Sequence, residues 1–246
     1  MLYERPVDAI MWKVPVVSAS PTAAPKLAAC LTQMDQDFRA DPDKAVRSQS
    51  FIRFLHAYLH EDLRARLSPG ARRKDIQIQL EPKVMGSHRP KDLDVGVIDP
   101  VNGPLILIGV RSQMSSIGNN TLGYIDGIIG EAESLQKRFP MSTHGYVYVM
   151  PKEVIKPGKT TEKVNHARYA GLLSTITGRS GVDYHETRGI YDHLSYMVVD
   201  FNATPLSVDD ALVASAVPDI DLRIGTFVDR IVHTHEERHP EWSIFR

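Results

Sequence analysis

The sequence has a single cysteine, Cys30, among 246 residues. One thiol cannot close an internal disulfide, and such sparing use fits a reducing compartment, so a cytoplasmic location is expected. Long apolar runs are absent too. No window approaches the roughly 18 uninterrupted apolar residues of a membrane span. The stretch from Ala9 to Val17 is interrupted by Lys13 and Pro15 and makes a poor secretory leader. There is almost no net charge: 29 Lys and Arg stand against 30 Asp and Glu. No global field therefore draws the chain to nucleic acid, and any such binding must rest on local patches. The sequence lacks internal repeats, low-complexity tracts and a G-x-S-x-G nucleophile elbow. Pro157-Gly-Lys-Thr160 imitates the end of a phosphate-binding loop, but the required earlier glycine falls on Glu153.

What is present is a globular composition. Hydrophobic residues are 42% and charged residues 24%, which argues against wholesale disorder. A chain this long buries roughly 70–75% of its unfolded surface and needs no disulfide or metal staple. Residues 1–25 have turn and linker composition and read as an irregular arm. Residues 26–246 read as one α/β domain, a central mixed sheet flanked by helices.

Helices are predicted over about 25–38 and 42–67, the second capped by Asp41 and stopped by Ser68-Pro69-Gly70. Phe51, Phe54, Leu55, Tyr58, Leu59 and Leu63 form its apolar stripe. Further helices are predicted over about 120–138 and 222–237, the former capped by Ser115, Ser116 or Asn119. Strands are predicted over 76–80, 145–150 and 196–201. The helix over 120–138 carries Gly123, Gly127, Gly130 and Ser134 opposite its apolar stripe. Each interior glycine costs about 1 kcal/mol relative to alanine, so a close neighbour is expected there: a second copy's helix or a DNA backbone.

The most informative segment is Lys91-Asp-Leu-Asp-Val-Gly-Val-Ile98, a turn over 99–104, and Leu105-Ile-Leu-Ile-Gly-Val-Arg111. Two β-rich runs around an Asn-Gly loop read as a hairpin. Symmetric pairing sets Leu93 against Val110, Val95 against Ile108 and Val97 against Ile106 on one apolar face. The other face then sets Asp94 against Gly109 and Asp92 against Arg111. Taken alone, these residues fit either a structural Asp92–Arg111 ion pair or a site for metal-assisted phosphodiester cleavage.

This stretch resembles the core of the PD-(D/E)XK nucleases, the restriction-endonuclease-like superfamily, over roughly residues 43–150. In that fold a helix and a strand precede a hairpin bearing an Asp and then an acid-any-Lys triplet, and a helix and strand follow. Asp94 matches the Asp, and Gly109-Val110-Arg111 stands at the triplet. The sequel Ser112-Gln-Met-Ser-Ser-Ile-Gly118, opening a helix, also resembles restriction-type members. The resemblance implies a type II restriction-like, Mg²⁺-dependent endodeoxyribonuclease with Asp94, Arg111 and Gln113 as catalytic residues. It implies double-stranded DNA and a second copy of the chain as partners.

The triplet departs from the pattern. Gly109 removes a carboxylate, and Leu93 replaces the proline before Asp94. Arg111 stays protonated, so it can bind phosphate but cannot act as a base. Candidate replacement ligands are Asp92 and Glu131, the latter on the following helix, from which some family members draw their second acid. Gln113 could offer a carbonyl oxygen; Glu133 and Glu61 are further candidates. Gain of cleavage on restoring the pattern with Gly109→Glu and Arg111→Lys would place the site here. A non-enzymatic protein on the same fold, binding DNA or a protein partner, is the rival reading.

Two basic clusters are candidates for phosphate contacts. One comprises Arg64, Arg66, Arg72, Arg73 and Lys74. The other comprises Lys152, Lys156, Lys159, Lys163 and Arg168. His233, His235 and His239 lack a third ligand of suitable spacing and read as a surface helix end, and Cys30 reads as a small core residue.

Overall fold

The computed structural model describes residues 26–48, 50–73, 75–154, 162–181, 183–240 and 243–245. The arm over 1–25, Lys74, Lys156, Lys159 and the 157–160 motif lie outside the described residues, as do the side chains of Arg72 and Arg73.

In chain order the elements begin with helices α1 (Leu27–Ala40), α2 (Pro42–Ser48), α3 (Arg53–Arg66) and α4 (Pro69–Arg73). Strands β1 (Gln77–Leu80), β2 (Lys83–Met85), β3 (Pro90–Asp92), β4 (Val95–Asp99) and β5 (Gly103–Ser112) follow. Then come α5 (Ile117–Arg138), β6 (Thr143–Pro151), β7 (Glu153–Val154), β8 (Glu162–Lys163) and α6 (His166–Ser174). The remainder is β9 (His193–Asp200), β10 (Ser207–Val208), α7 (Asp210–Ala216) and α8 (Phe227–Arg238).

Asp41 caps α2 as its residue type predicts, its Oδ1 accepting from the Lys44 N–H at 3.0 Å. The predicted single helix breaks after Ser48. Ser48 turns its hydroxyl back onto Lys44 O and Ser50 reaches Asp37, side-chain bonds that compete with the helical ladder. Helix α8 starts later than predicted for a similar reason. Asp221 accepts from the Arg223 N–H and the Thr226 hydroxyl, holding that approach in a turn.

Six strands form a mixed sheet in the order β1-β4-β5-β6-β9-β10. The inner β5, β6 and β9 run parallel, and the outer pairings are antiparallel. Alternation along the strands divides the core. Val147 and Val149 of β6 pack with α1, α3 and α8 residues such as Met34, Leu59 and Phe227. Tyr146, Tyr148 and Met150 pack with α5, α6 and α7 residues such as Ile128, Leu173 and Val213. Helices thus cover both faces. No described helix is long and apolar enough to cross a membrane.

The hairpin register holds at its centre: Val95 pairs Ile108, Gly96 pairs Leu107, and Val97 pairs Ile106. A bulge between Val97 and Ile98 then shortens the turn, so Ile98 pairs Pro104 rather than Leu105. At the open end the expected pairing fails. The strand breaks at Leu93 and Asp94, and Leu93 sends its N–H to Pro82 O. Leu93 therefore joins Val84, Leu107 and Leu135 on the α5 side instead of sharing a face with Val95. Asp92 belongs to a separate two-stranded ribbon, β2 with β3, where it pairs Lys83 across the ribbon and at 3.4 Å through its carboxylate. It does not face Arg111.

The glycines at 123, 127 and 130 lie on the exposed face of α5, with open space where side chains would project. Ser134 is buried, against the ribbon.

Candidate functional site

The strand break shapes the site. Asp94 keeps one backbone bond of the ladder, its N–H donating to Ile108 O at 3.1 Å. Its carboxylate takes over another: Oδ2 accepts the Val110 N–H at 2.5 Å, a donor that continued strand backbone would otherwise satisfy. The side chain is thereby fixed at the ends of β4 and β5, half-buried between two helical layers.

From α3, His56 brings Nε2 to 3.3 Å from Asp94 Oδ1. That is ion-pair distance without hydrogen-bond geometry, and Nε2 has no other partner among the described residues. From the opposite face, α5 supplies Glu131. A Cβ placed on Gly109 would stand 3.5 Å from Glu131 Oε1 and only 2.6 and 2.8 Å from the Tyr146 ring. The glycine therefore leaves room that the tyrosine edge occupies, with the helix-borne carboxylate close by. Arg111, two residues on, lays its guanidinium 3.7 Å over the Tyr124 ring. Its Nε is buried without a partner, and it forms no ion pair among the described residues.

The electrostatics follow from crowding acids in a poorly solvated place. Burial pushes the Asp94 carboxyl up to about 7; the Val110 N–H opposes this, and Glu131 and Glu81 add to it. Burial also raises Glu131, opposed by Lys91, Arg111 and Arg89. Burial, helped by Arg53, lowers His56 to about 4, so its ring is neutral at neutral pH.

Mg²⁺ is commonly held by one or two carboxylates, with water and phosphate completing its shell. Asp94 and Glu131 offer that donor set. Among the described residues, no three His, Cys, Asp or Glu side chains are grouped to cage a metal unaided.

The other predicted residues are placed as follows. Gln113 is buried, its Oε1 accepting from Tyr148 Oη at 2.6 Å with Thr121 Oγ1 at 3.0 Å, so it braces β5 against α5 and β6. Asp92 and Glu133 are exposed. Glu61 is taken by Arg64 and His60. The first basic cluster is partly neutralised, since Arg66 pairs with Asp62 and Asp229. In the second, Lys152 is held by Asp209 at 2.9 Å, while Lys163 is exposed on β8. Sequence reasoning missed His56, which reads as one more residue beside the α3 stripe. It also missed Tyr124, whose spacing gave no sign that a strand guanidinium would lie on it.

The result is an α/β protein with two half-buried carboxylates and an unspent guanidinium gathered at the ends of two central strands. No family model, curated protein or solved structure matches the chain.

Proposed function

We propose that this chain is a Mg²⁺-dependent nuclease acting on double-stranded DNA, built on a restriction-endonuclease-like fold. The observation that carries the reading is the position of Glu131: its carboxylate stands 3.5 Å from where a side chain on Gly109 would begin, on the Asp94 side, near where the family's strand-borne acid would stand. The order of α3, β1, the β4–β5 hairpin, α5 and β6 agrees with the family's core.

Asp94 and Glu131 would hold the cation, which when bound supplies positive charge at the phosphate under attack. Arg111, already stripped of part of its water by the Tyr124 stack, binds a non-bridging phosphate oxygen. Asp94 must be ionised to serve as a ligand. Proton loss from Asp94 therefore precedes activity.

The test is nicking of supercoiled plasmid in Mg²⁺ or Mn²⁺. Cleavage is expected in the wild type and is lost in Asp94→Ala and Glu131→Ala. The missing strand lysine favours a second reading, a protein that binds DNA without cutting it. Tight binding with no cleavage in either metal would establish that one instead.

A further inference from the structure

We propose that the β2–β3 ribbon is a clamp that grips the DNA phosphate backbone beside the carboxylate pair; this rests on reading Asp94 and Glu131 as a DNA-cleaving site. A lone two-stranded ribbon is marginal in water. This one is outside the main sheet and yet is fastened at several points. Val84 packs with Leu93, Leu107 and Leu135. The Ser87 N–H donates to Ser134 O at 3.0 Å, and the two serine hydroxyls lie 3.2 Å apart. A Cβ on Gly86 would come within 2.6 Å of Ser134 Oγ, so the ribbon backbone is pressed onto α5 as closely as glycine allows.

The fastening holds two cations in place. Arg89 is exposed in the turn between β2 and β3, and Lys91 is half-buried on β3, its Cγ 3.5 Å from where a Cβ on Gly86 would lie, on the side pressed against α5. Neither forms an ion pair among the described residues. That separates them from Arg64, Arg66 and Lys152, which are spent on acids of their own chain. With Arg111 they are three cations without an ion pair among the described residues, set against the acids Asp94, Glu131 and Glu81. Such a set complements a phosphodiester chain: the acids with their cation take one phosphate and the outer cations take its neighbours. Each phosphate so neutralised releases counterions and adds to the salt dependence of binding.

The experiment measures affinity for a double-stranded oligonucleotide against salt, for the wild type and for Arg89→Gln/Lys91→Gln. The double variant is expected to bind at least tenfold more weakly at low salt. Its log–log slope is expected to be shallower by about 2, roughly 0.9 for each lost phosphate contact. Arg89→Lys/Lys91→Arg should keep the wild-type slope. An unchanged slope in the glutamine variant, or no DNA binding by the wild type, overturns the clamp. Loss of cleavage with an unchanged slope also overturns it, moving Lys91 into the reaction itself. A changed slope with a wild type that never cuts sinks the nuclease and leaves the clamp; cleavage with an unchanged slope does the reverse.

Discussion

The carboxylate of Glu131 lies 3.5 Å from the point where a side chain on Gly109 would begin. The helix-borne acid thus stands beside the strand, and the Tyr146 ring requires a glycine at 109. Gly109→Glu, paired with Arg111→Lys to test a family site, must contend with that ring. The new Cβ would meet the Tyr146 ring at a distance real Cβ atoms do not reach.

Gly109→Ala is accordingly expected to destabilise the fold by about 1–3 kcal/mol, the usual cost of overpacking. Denaturant titration measures it. Pairing the substitution with Tyr146→Ala should show coupling in a double-mutant cycle, and simple additivity would mean the collision relaxes elsewhere.

Asp94→Asn should raise stability at neutral pH. The folded state holds the Asp94 proton up to about pH 7, against an ordinary value of 3.8. The native state therefore binds the proton more tightly than the unfolded one, and stability falls as pH rises from 3.8 to 7. Asparagine avoids this and can still accept the Val110 N–H. A gain of about 1–3 kcal/mol is expected at pH 8, shrinking toward zero near pH 4. Thermal unfolding without metal at both pH values checks it.

Acid should unfold the protein through its buried histidines. Burial lowers His56, His144 and His193 to about 4 and His235 to about 3. Each is held neutral in the fold while the unfolded chain protonates near 6.5. Stability is thus full above pH 6.5 and is lost as pH falls toward 4, by up to about 1.4 kcal/mol per pH unit for each ring. His235 is the sharpest case, because neither of its nitrogens has a partner among the described residues. His235→Leu should flatten the acid limb of a stability–pH curve, and an unaltered limb would contradict this account.

Asp192→Ala should be among the most damaging single changes. Its buried carboxylate takes the Arg179 guanidinium at 3.2 Å, the Arg238 guanidinium, and the His144 N–H at 2.7 Å. Removing it strands a fully buried Arg179 cation, at about 3–5 kcal/mol. Soluble yield and melting temperature report the loss. Asp192→Asn, which keeps an acceptor, should fall between.

The central hairpin pairs, Asp94 and the helix bearing Glu131 were legible because apolar alternation and helical spacing are local signals. The break at Leu93 was not. Lys91-Asp-Leu-Asp alternates as a continuous strand would, and only the tertiary bonds to Pro82 O and Val110 N–H interrupt it. Asp92 was misplaced for that reason alone. His56 was hidden because a histidine next to an apolar stripe looks like core until another element brings a carboxylate to it. The pairing of Arg64 and Arg66 is legible in the sequence: Glu61 and Asp62 stand three and four residues before them, the spacing of helical ion pairs.

Ser134 and Glu131 stand one turn apart on α5. The serine anchors the ribbon and the glutamate faces Asp94, so both are mounted on a single stiff rod. Any load that tugs the ribbon outward is therefore delivered to the acid through rigid helix, without detour through the sheet.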